Sequence, residues 1–221
     1  MKGLVKYIVG TTYKPLLVKY LSKTRSYSCK GISVEIPPEV FHPGFFHSTK
    51  LLLHSLIKMN LKEKKVLELG AGSGLLGIYA AHKGASVTAT DINPIAIQCV
   101  KRNAVINGVE IDAFYSDVFE KIPGQYFDLI LINPPYYKGN PQSASEYAWY
   151  CGENGEYFQK LFTHLDKYID ENSTVLMVLC DGCDLEMVKS FASKNFFSLK
   201  CVYTKSTLIE RNYIFNVQPT R

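Results

Sequence analysis

The sequence predicts a Rossmann-like α/β fold: a doubly wound, mostly parallel, seven-stranded sheet that ends in an antiparallel hairpin. Three observations predict it. From residue 65 onward, short apolar runs alternate with segments of helical periodicity. Runs such as Val175-Leu176-Met177-Val178-Leu179 lack polar alternation, as expected of strands covered on both faces. The last two strand candidates are separated by only about six residues, too few for a crossover helix, so they must pair antiparallel.

The elements follow in order. Lys14 to Lys23 reads as a short helix, with Pro15 at the first helical position. Ile36-Pro37-Pro38 forces extended chain. Ser48 to Met59 carries Leu51, Leu52, Leu56 and Met59 on one helical face. Strands are then expected over Lys65–Leu69, Ser86–Thr90, Glu110–Tyr115, Phe127–Ile132 and Thr174–Leu179. Helices are expected over Leu75–Lys83, Pro94–Asn107, Gly155–Ile169 and Leu185–Lys194, and the closing hairpin over Leu199–Lys205 and Asn212–Val217. Residues 1–47, which begin with a basic arm, are set apart from the main domain over 48–221.

Composition limits the function. The chain has 221 residues, 47% hydrophobic and 20% charged, which excludes disordered and low-complexity classes. No run approaches a membrane span, and Lys6 interrupts the apolar start, so a cytoplasmic chain is expected. The net charge of +5 is uneven. Residues 1–34 carry Lys2, Lys6, Lys14, Lys19, Lys23, Arg25 and Lys30 and no acid. A basic arm on a near-neutral body suits an anionic partner. Six scattered cysteines suggest a reduced compartment, and Cys180-x-x-Cys183 lacks the second pair that a zinc site needs, so no metal is expected.

Four motifs carry chemistry. Glu68-Leu69-Gly70-Ala71-Gly72-Ser73-Gly74 turns a strand into a helix, and its glycines admit a ligand close to main-chain N–H groups. Gly72, Gly74 and Gly77 also satisfy the dinucleotide pattern, which leaves a nicotinamide cofactor open at this point. Asp91 ends the next strand, followed by Ile92, where a carboxylate can accept from both hydroxyls of a ribose. Asp117 and Val118 follow the third strand, where a carboxylate and a backbone N–H can hold an adenine edge. Asn133-Pro134-Pro135-Tyr136 follows the buried fourth strand. Two prolines make a rigid turn that presents the Asn133 side-chain oxygen and the Pro134 carbonyl. Those acceptors can grip both hydrogens of a planar NH₂ group while Tyr136 stacks on its plane. A nicotinamide enzyme would leave this tetrapeptide without a task.

Glu68-x-Gly70-x-Gly72-x-Gly74, Asp91, Asp117 and Asn133-Pro134-Pro135-Tyr136, in this order, resemble class I S-adenosylmethionine-dependent methyltransferases. Within them the chain is similar to the amino-methylating group, which includes protein-glutamine N5, adenine N6 and guanine N2 methyltransferases. The resemblance covers about residues 40–217. It implies that Gly70, Gly72 and Gly74 lie under the methionine part of the cofactor, with Glu68 on its amino group or a nearby N–H. It implies Asp91 on the ribose, with Ile92 beside it, and Asp117 with Val118 on the adenine. Asn133, Pro134 and Tyr136 would orient the acceptor nitrogen in line with the methyl and sulfur. Phe41 to Thr49 occupies the place where the group closes the site, without the Arg-Pro-x-Thr-Glu run of the release-factor enzymes.

The expected activity is methyl transfer to a planar amino or amide nitrogen in RNA or in a protein glutamine. RNA is placed first because Tyr7, Tyr13, Tyr20 and Tyr27 interleave the basic arm. The alternative is an inactive nucleic-acid-binding or assembly module that keeps the fold. A monomer is expected. Tyr137 to Gly152, with Trp149, is long for a connection and is expected to line the acceptor pocket.

Overall fold

A computed structural model describes residues 20–207 and 210–220. The body is one sheet of seven strands: β3 (Lys65–Leu69), β4 (Ser86–Asp91), β5 (Asp112–Tyr115), β6 (Leu129–Ile132), β7 (Thr174–Cys180), β8 (Phe197–Ser206) and β9 (Arg211–Pro219). Their order is β5-β4-β3-β6-β7-β9-β8. The pairs β3–β4, β4–β5, β3–β6 and β6–β7 are parallel, while β9 runs antiparallel to β7 and β8. The expected sheet and its closing hairpin are therefore present, with β9 inserted between β7 and the edge strand β8.

Alternate residues of the central strands serve opposite faces. Leu67, Ile130 and Met177 join one buried cluster with Phe158, Leu161, Phe162 and Val188. Val66, Leu129 and Leu176 join the other, with Leu52, Leu56, Leu75 and Ile78. A strand buried on both sides cannot show polar alternation, which is why these runs are apolar throughout. The covering helices are α1 (His47–Leu56), α2 (Leu75–His82) and α3 (Pro94–Ile106) on one side. On the other are α4 (Glu156–His164) and α5 (Leu185–Lys194). Asn93 caps α3 by accepting the Ile95 N–H at 2.9 Å, and Asp184 caps α5 through the Met187 N–H at 3.0 Å. The long helix expected over Gly155–Ile169 is shorter: α4 stops at His164, and Leu165–Tyr168 winds into a 3₁₀ turn.

The segment read as a basic arm holds a feature the sequence reading missed. Strands β1 (Arg25–Cys29) and β2 (Ile32–Ile36) form a separate hairpin. Its turn is Lys30-Gly31, both at positive φ (53° and 81°), as a two-residue hairpin turn requires. Ile32, Val34 and Ile36 are buried with the α1 and α2 side chains. The free edge of β2 is bonded by two asparagines one turn apart, Asn103 in the last turn of α3 and Asn107 capping its end. Asn103 accepts the Glu35 N–H at 2.8 Å and donates to the Glu35 carbonyl at 3.1 Å. Asn107 does the same for Ser33, at 3.0 and 2.7 Å. Two side-chain amides thus satisfy the β2 edge as a neighbouring strand would. Because this hairpin shares the main core, we propose to draw the boundary of the arm ahead of Arg25 rather than at residue 47. The expected helix over Lys14–Lys23 falls mostly outside the described residues.

Candidate active site

Strands β3, β4 and β5 step one way from the centre and β6 the other, so the strand order reverses between β3 and β6. Their carboxyl ends flank a crevice where open α/β sheets bind ligands. A cavity of about 500 Å³ lies there. Of the residues singled out from sequence, Glu68, Gly70, Gly72, Asp91, Ile92, Asp117, Val118, Asn133, Pro134 and Tyr136 all line it. Gly74 does not.

The glycine loop explains that division. Gly70 and Ala71 donate to the Thr90 carbonyl at 2.8 and 2.9 Å, which ties the loop to β4. A Cβ added at Gly70 would meet nothing within 4 Å, and one at Gly72 only Val40 at 3.9 Å, so both open onto empty space. Gly74 instead faces Val100, which a Cβ would approach to 3.1 Å. It packs the start of α2 closely against α3 and does not line the cavity. Glu68 accepts the Gly77 N–H at 2.8 Å, tying β3 to α2. Burial pushes its carboxyl up to about 8 against the Gly77 and Leu76 N–H groups, and the nearby Asp91 adds to the rise.

Asp91, at the end of β4, uses one oxygen to accept the Gly72 N–H and the other the Asn93 N–H, each at 2.8 Å. Burial raises its carboxyl above the usual range despite those bonds. Beyond β5, Val118 takes φ 50°, a left-handed conformation that a β-branched residue rarely adopts. Ser116 holds that turn by donating to the Val118 carbonyl at 3.0 Å. The expected adenine partner Asp117 is already engaged: its carboxylate pairs with Lys160 of α4.

Asn133 follows β6 directly. Its side-chain NH₂ donates to the Thr49 hydroxyl of α1 at 3.4 Å, which leaves the amide oxygen as the group available to the cavity. The Tyr136 ring packs on the core beneath the sheet, and burial beside the Cys180 thiol drives its phenol upward. The segment Tyr137–Gly152 is stapled at its base. Tyr137 donates to the Trp149 carbonyl and accepts from Cys151, both at 2.9 Å, and Gly139 and Gly152 exchange bonds at 3.3 and 3.1 Å. Trp149 lines the cavity, as expected, and packs on Phe41 at 5.3 Å and Phe46 at 5.0 Å between ring centroids. The segment holding Phe41 and Phe46 and the segment Tyr137–Gly152 are therefore joined through one aromatic cluster.

Sequence reasoning missed Tyr157 and Lys160, which line the cavity from α4, and gave Thr49 no role of its own. Nothing in the local pattern marks the first two, since one turn of any amphipathic helix carries such pairs. Cys180 and Cys183 are both buried at the end of β7, as packing residues. Among the described residues, no group of three His, Cys, Asp or Glu side chains is placed to hold a metal, and no helix is long and apolar enough to cross a membrane.

The residues present fit S-adenosylmethionine. Gly70 and Gly72 leave a cradle that side chains would fill. Two buried hydroxyls on the cavity wall, Thr90 and Tyr157, have no hydrogen-bond partner among the described residues.

Residues 32–150 match the family model described as methyltransferase small domain. A Methanocaldococcus jannaschii protein whose name is "putative protein N5-glutamine methyltransferase" is 38% identical over 155 residues, covering 66% of this chain and 75% of that one. Ribosomal RNA small subunit methyltransferase C of Chromohalobacter salexigens is 32% identical over 125 residues, covering 55% of this chain and 36% of its own length, so this chain spans about a third of that relative. A 16S rRNA N2 methyltransferase from T. thermophilus, solved with AdoMet and guanosine, superposes at TM-score 0.61 and 20% identity over 90% of this chain and 50% of that one, a likeness of fold. The chain therefore belongs to the methyltransferase small domain family and is an S-adenosylmethionine-dependent N-methyltransferase.

Proposed function

We propose that this chain methylates the side-chain amide nitrogen of a glutamine in a protein. The observation that carries methylation of a planar NH₂ nitrogen is the Asn133 side chain. Its NH₂ is turned to Thr49, so its oxygen stands at the cavity as a fixed acceptor, next to the Pro134 carbonyl. An amide nitrogen is a poor nucleophile because its lone pair is conjugated with the carbonyl. Two acceptors holding its N–H bonds favour the pyramidal geometry in which that lone pair is free, and they stabilise the positive charge that grows there. Tyr136 offers its ring to the plane of the acceptor. Gly70 and Gly72 make room for the methionine part of the cofactor, and Asp91 accepts from the ribose with the lone pairs that Gly72 and Asn93 leave. When bound, S-adenosylmethionine supplies an electrophilic methyl group on its sulfonium. Protein is placed ahead of RNA because the glutamine-methyltransferase relative aligns over three quarters of its own length.

An RNA base is the second reading, favoured by the seven basic side chains and no acid of residues 1–34. Transfer of labelled methyl groups into cell extract, followed by protease or ribonuclease, tests both. Label released by protease supports glutamine, and label released by ribonuclease supports the RNA base. Absence of transfer by a protein that binds S-adenosylhomocysteine would leave only the non-catalytic module.

A further inference from the structure

Tyr157 is the cavity residue to which the motif pattern gives no task. It stands in the first turn of α4, and its backbone N–H donates to the Cys151 carbonyl at 3.0 Å, which fixes the start of the helix to the end of the acceptor loop. Its phenolic oxygen is buried and meets no donor or acceptor among the described residues. An orphaned buried hydroxyl is costly, and native proteins keep few of them unless something else completes the bond.

Its neighbours say where that missing partner lies. Burial above all, with Asp91 and Asp117 adding to it, pushes the phenol well above its usual range, so it remains a donor, and the pairing of Lys160 with Asp117 sets this turn of α4 against the end of β5. Neither carboxylate takes the proton in a bond. Asp91 accepts from Gly72 and Asn93, and Asp117 is held by Lys160, one turn along α4 from Tyr157. Asp91 ends β4 and Asp117 follows β5, on the far side of β3 from β6, whose end carries Asn133. The hydroxyl therefore serves the end of the ligand remote from the methyl group, which must reach Asn133.

We infer that the Tyr157 hydroxyl donates a hydrogen bond to the adenosine portion of S-adenosylmethionine, so that α4 forms the wall closing the nucleoside side of the site. This rests on the cofactor assignment and adds a contact outside the strand-end motifs.

Tyr157→Phe tests it with little change of shape. Binding of S-adenosylhomocysteine and of 5′-methylthioadenosine, which lacks the amino acid, is measured by calorimetry, alongside the melting temperature of the ligand-free protein. Both ligands should bind about three- to tenfold more weakly, the usual range for one hydrogen bond. The ligand-free variant should melt at the same temperature as the wild type or higher, because an unsatisfied hydroxyl has been removed. Unchanged affinity would overturn the inference. So would weaker binding accompanied by a lowered melting temperature, which would assign the hydroxyl to the fold, or a loss confined to S-adenosylhomocysteine, which would assign it to the methionine end. Wild-type binding of S-adenosylhomocysteine is the separate control that bears on the methyltransferase reading itself.

Discussion

Thr49 and Asn133, 84 residues apart, meet across the cavity: the hydroxyl oxygen of the first accepts the side-chain amide of the second at 3.4 Å. In this arrangement the NH₂ of Asn133 faces Thr49 and its oxygen is left for the acceptor. An asparagine rotated by half a turn would present its own NH₂ to the acceptor NH₂, and two donors cannot bond.

Replacing Asn133 by Ala should therefore leave S-adenosylhomocysteine affinity near wild type and lower kcat and kcat/KM together by about a hundredfold or more. Thr49→Val keeps the shape of the neighbour and removes the acceptor, so the rate should fall by about tenfold, again with cofactor affinity preserved. Wild-type turnover of the native acceptor by the Asn133 variant would end the amine-methyltransferase reading.

Asp91→Ala should have two effects where the sequence alone led to one. Losing a charged acceptor should weaken S-adenosylhomocysteine binding by roughly tenfold to a hundredfold. The Gly72 and Asn93 N–H groups also lose their partner, so the ligand-free protein should melt earlier. NADH should show no saturable binding to the native protein, and tight NADH binding without S-adenosylhomocysteine binding would reverse the assignment.

Glu68 should make stability depend on pH. Its carboxyl is raised from the ordinary 4.5 to about 8, so the folded protein holds the proton more tightly than the unfolded chain. The contribution is complete below the ordinary value and is lost as pH rises toward 8, and the raised Asp91 carboxyl acts in the same direction. The ligand-free melting temperature should therefore fall between about pH 5 and about pH 8.5. Glu68→Gln retains an oxygen for the Gly77 N–H but cannot ionise, so its decline over that interval should be shallower. Parallel declines in the two proteins would show that Glu68 does not drive the effect.

Asn103 has 0% exposure, and its amide satisfies both backbone groups of Glu35 together with the Ser73 carbonyl at 3.0 Å. Asn103→Ala strands these groups, with an expected loss on the order of 2–3 kcal/mol in denaturant unfolding. The same change on Asn107, nearer the surface, should cost less. Equal losses would mean that the β2 edge rather than the burial of Asn103 sets the effect.

The sequence by itself placed the candidate site residues at the strand ends, because that information is local. Apolar runs without polar alternation specified the doubly covered strands, and the glycines after Leu69, the acids after β4 and β5, and Asn133-Pro134-Pro135-Tyr136 each sit in the few residues where a strand ends. Strand ends of a parallel sheet converge on one side, so locating the strands located the site. Only the tertiary structure decided what those residues meet. Gly74 and Gly72 are alike in a motif, yet one faces Val100 and the other open space. The pairing of Asp117 with Lys160 and the bond from Asn133 to Thr49 join residues distant along the chain, and the Tyr157 hydroxyl is left without a partner only once α4 is packed on the cavity. The β1–β2 hairpin had a local turn signal in Lys30-Gly31, but its place was fixed by Asn103 and Asn107 on a helix some 70 residues later. Side chains of that kind declare a role only when folding brings an unpaired backbone edge against them.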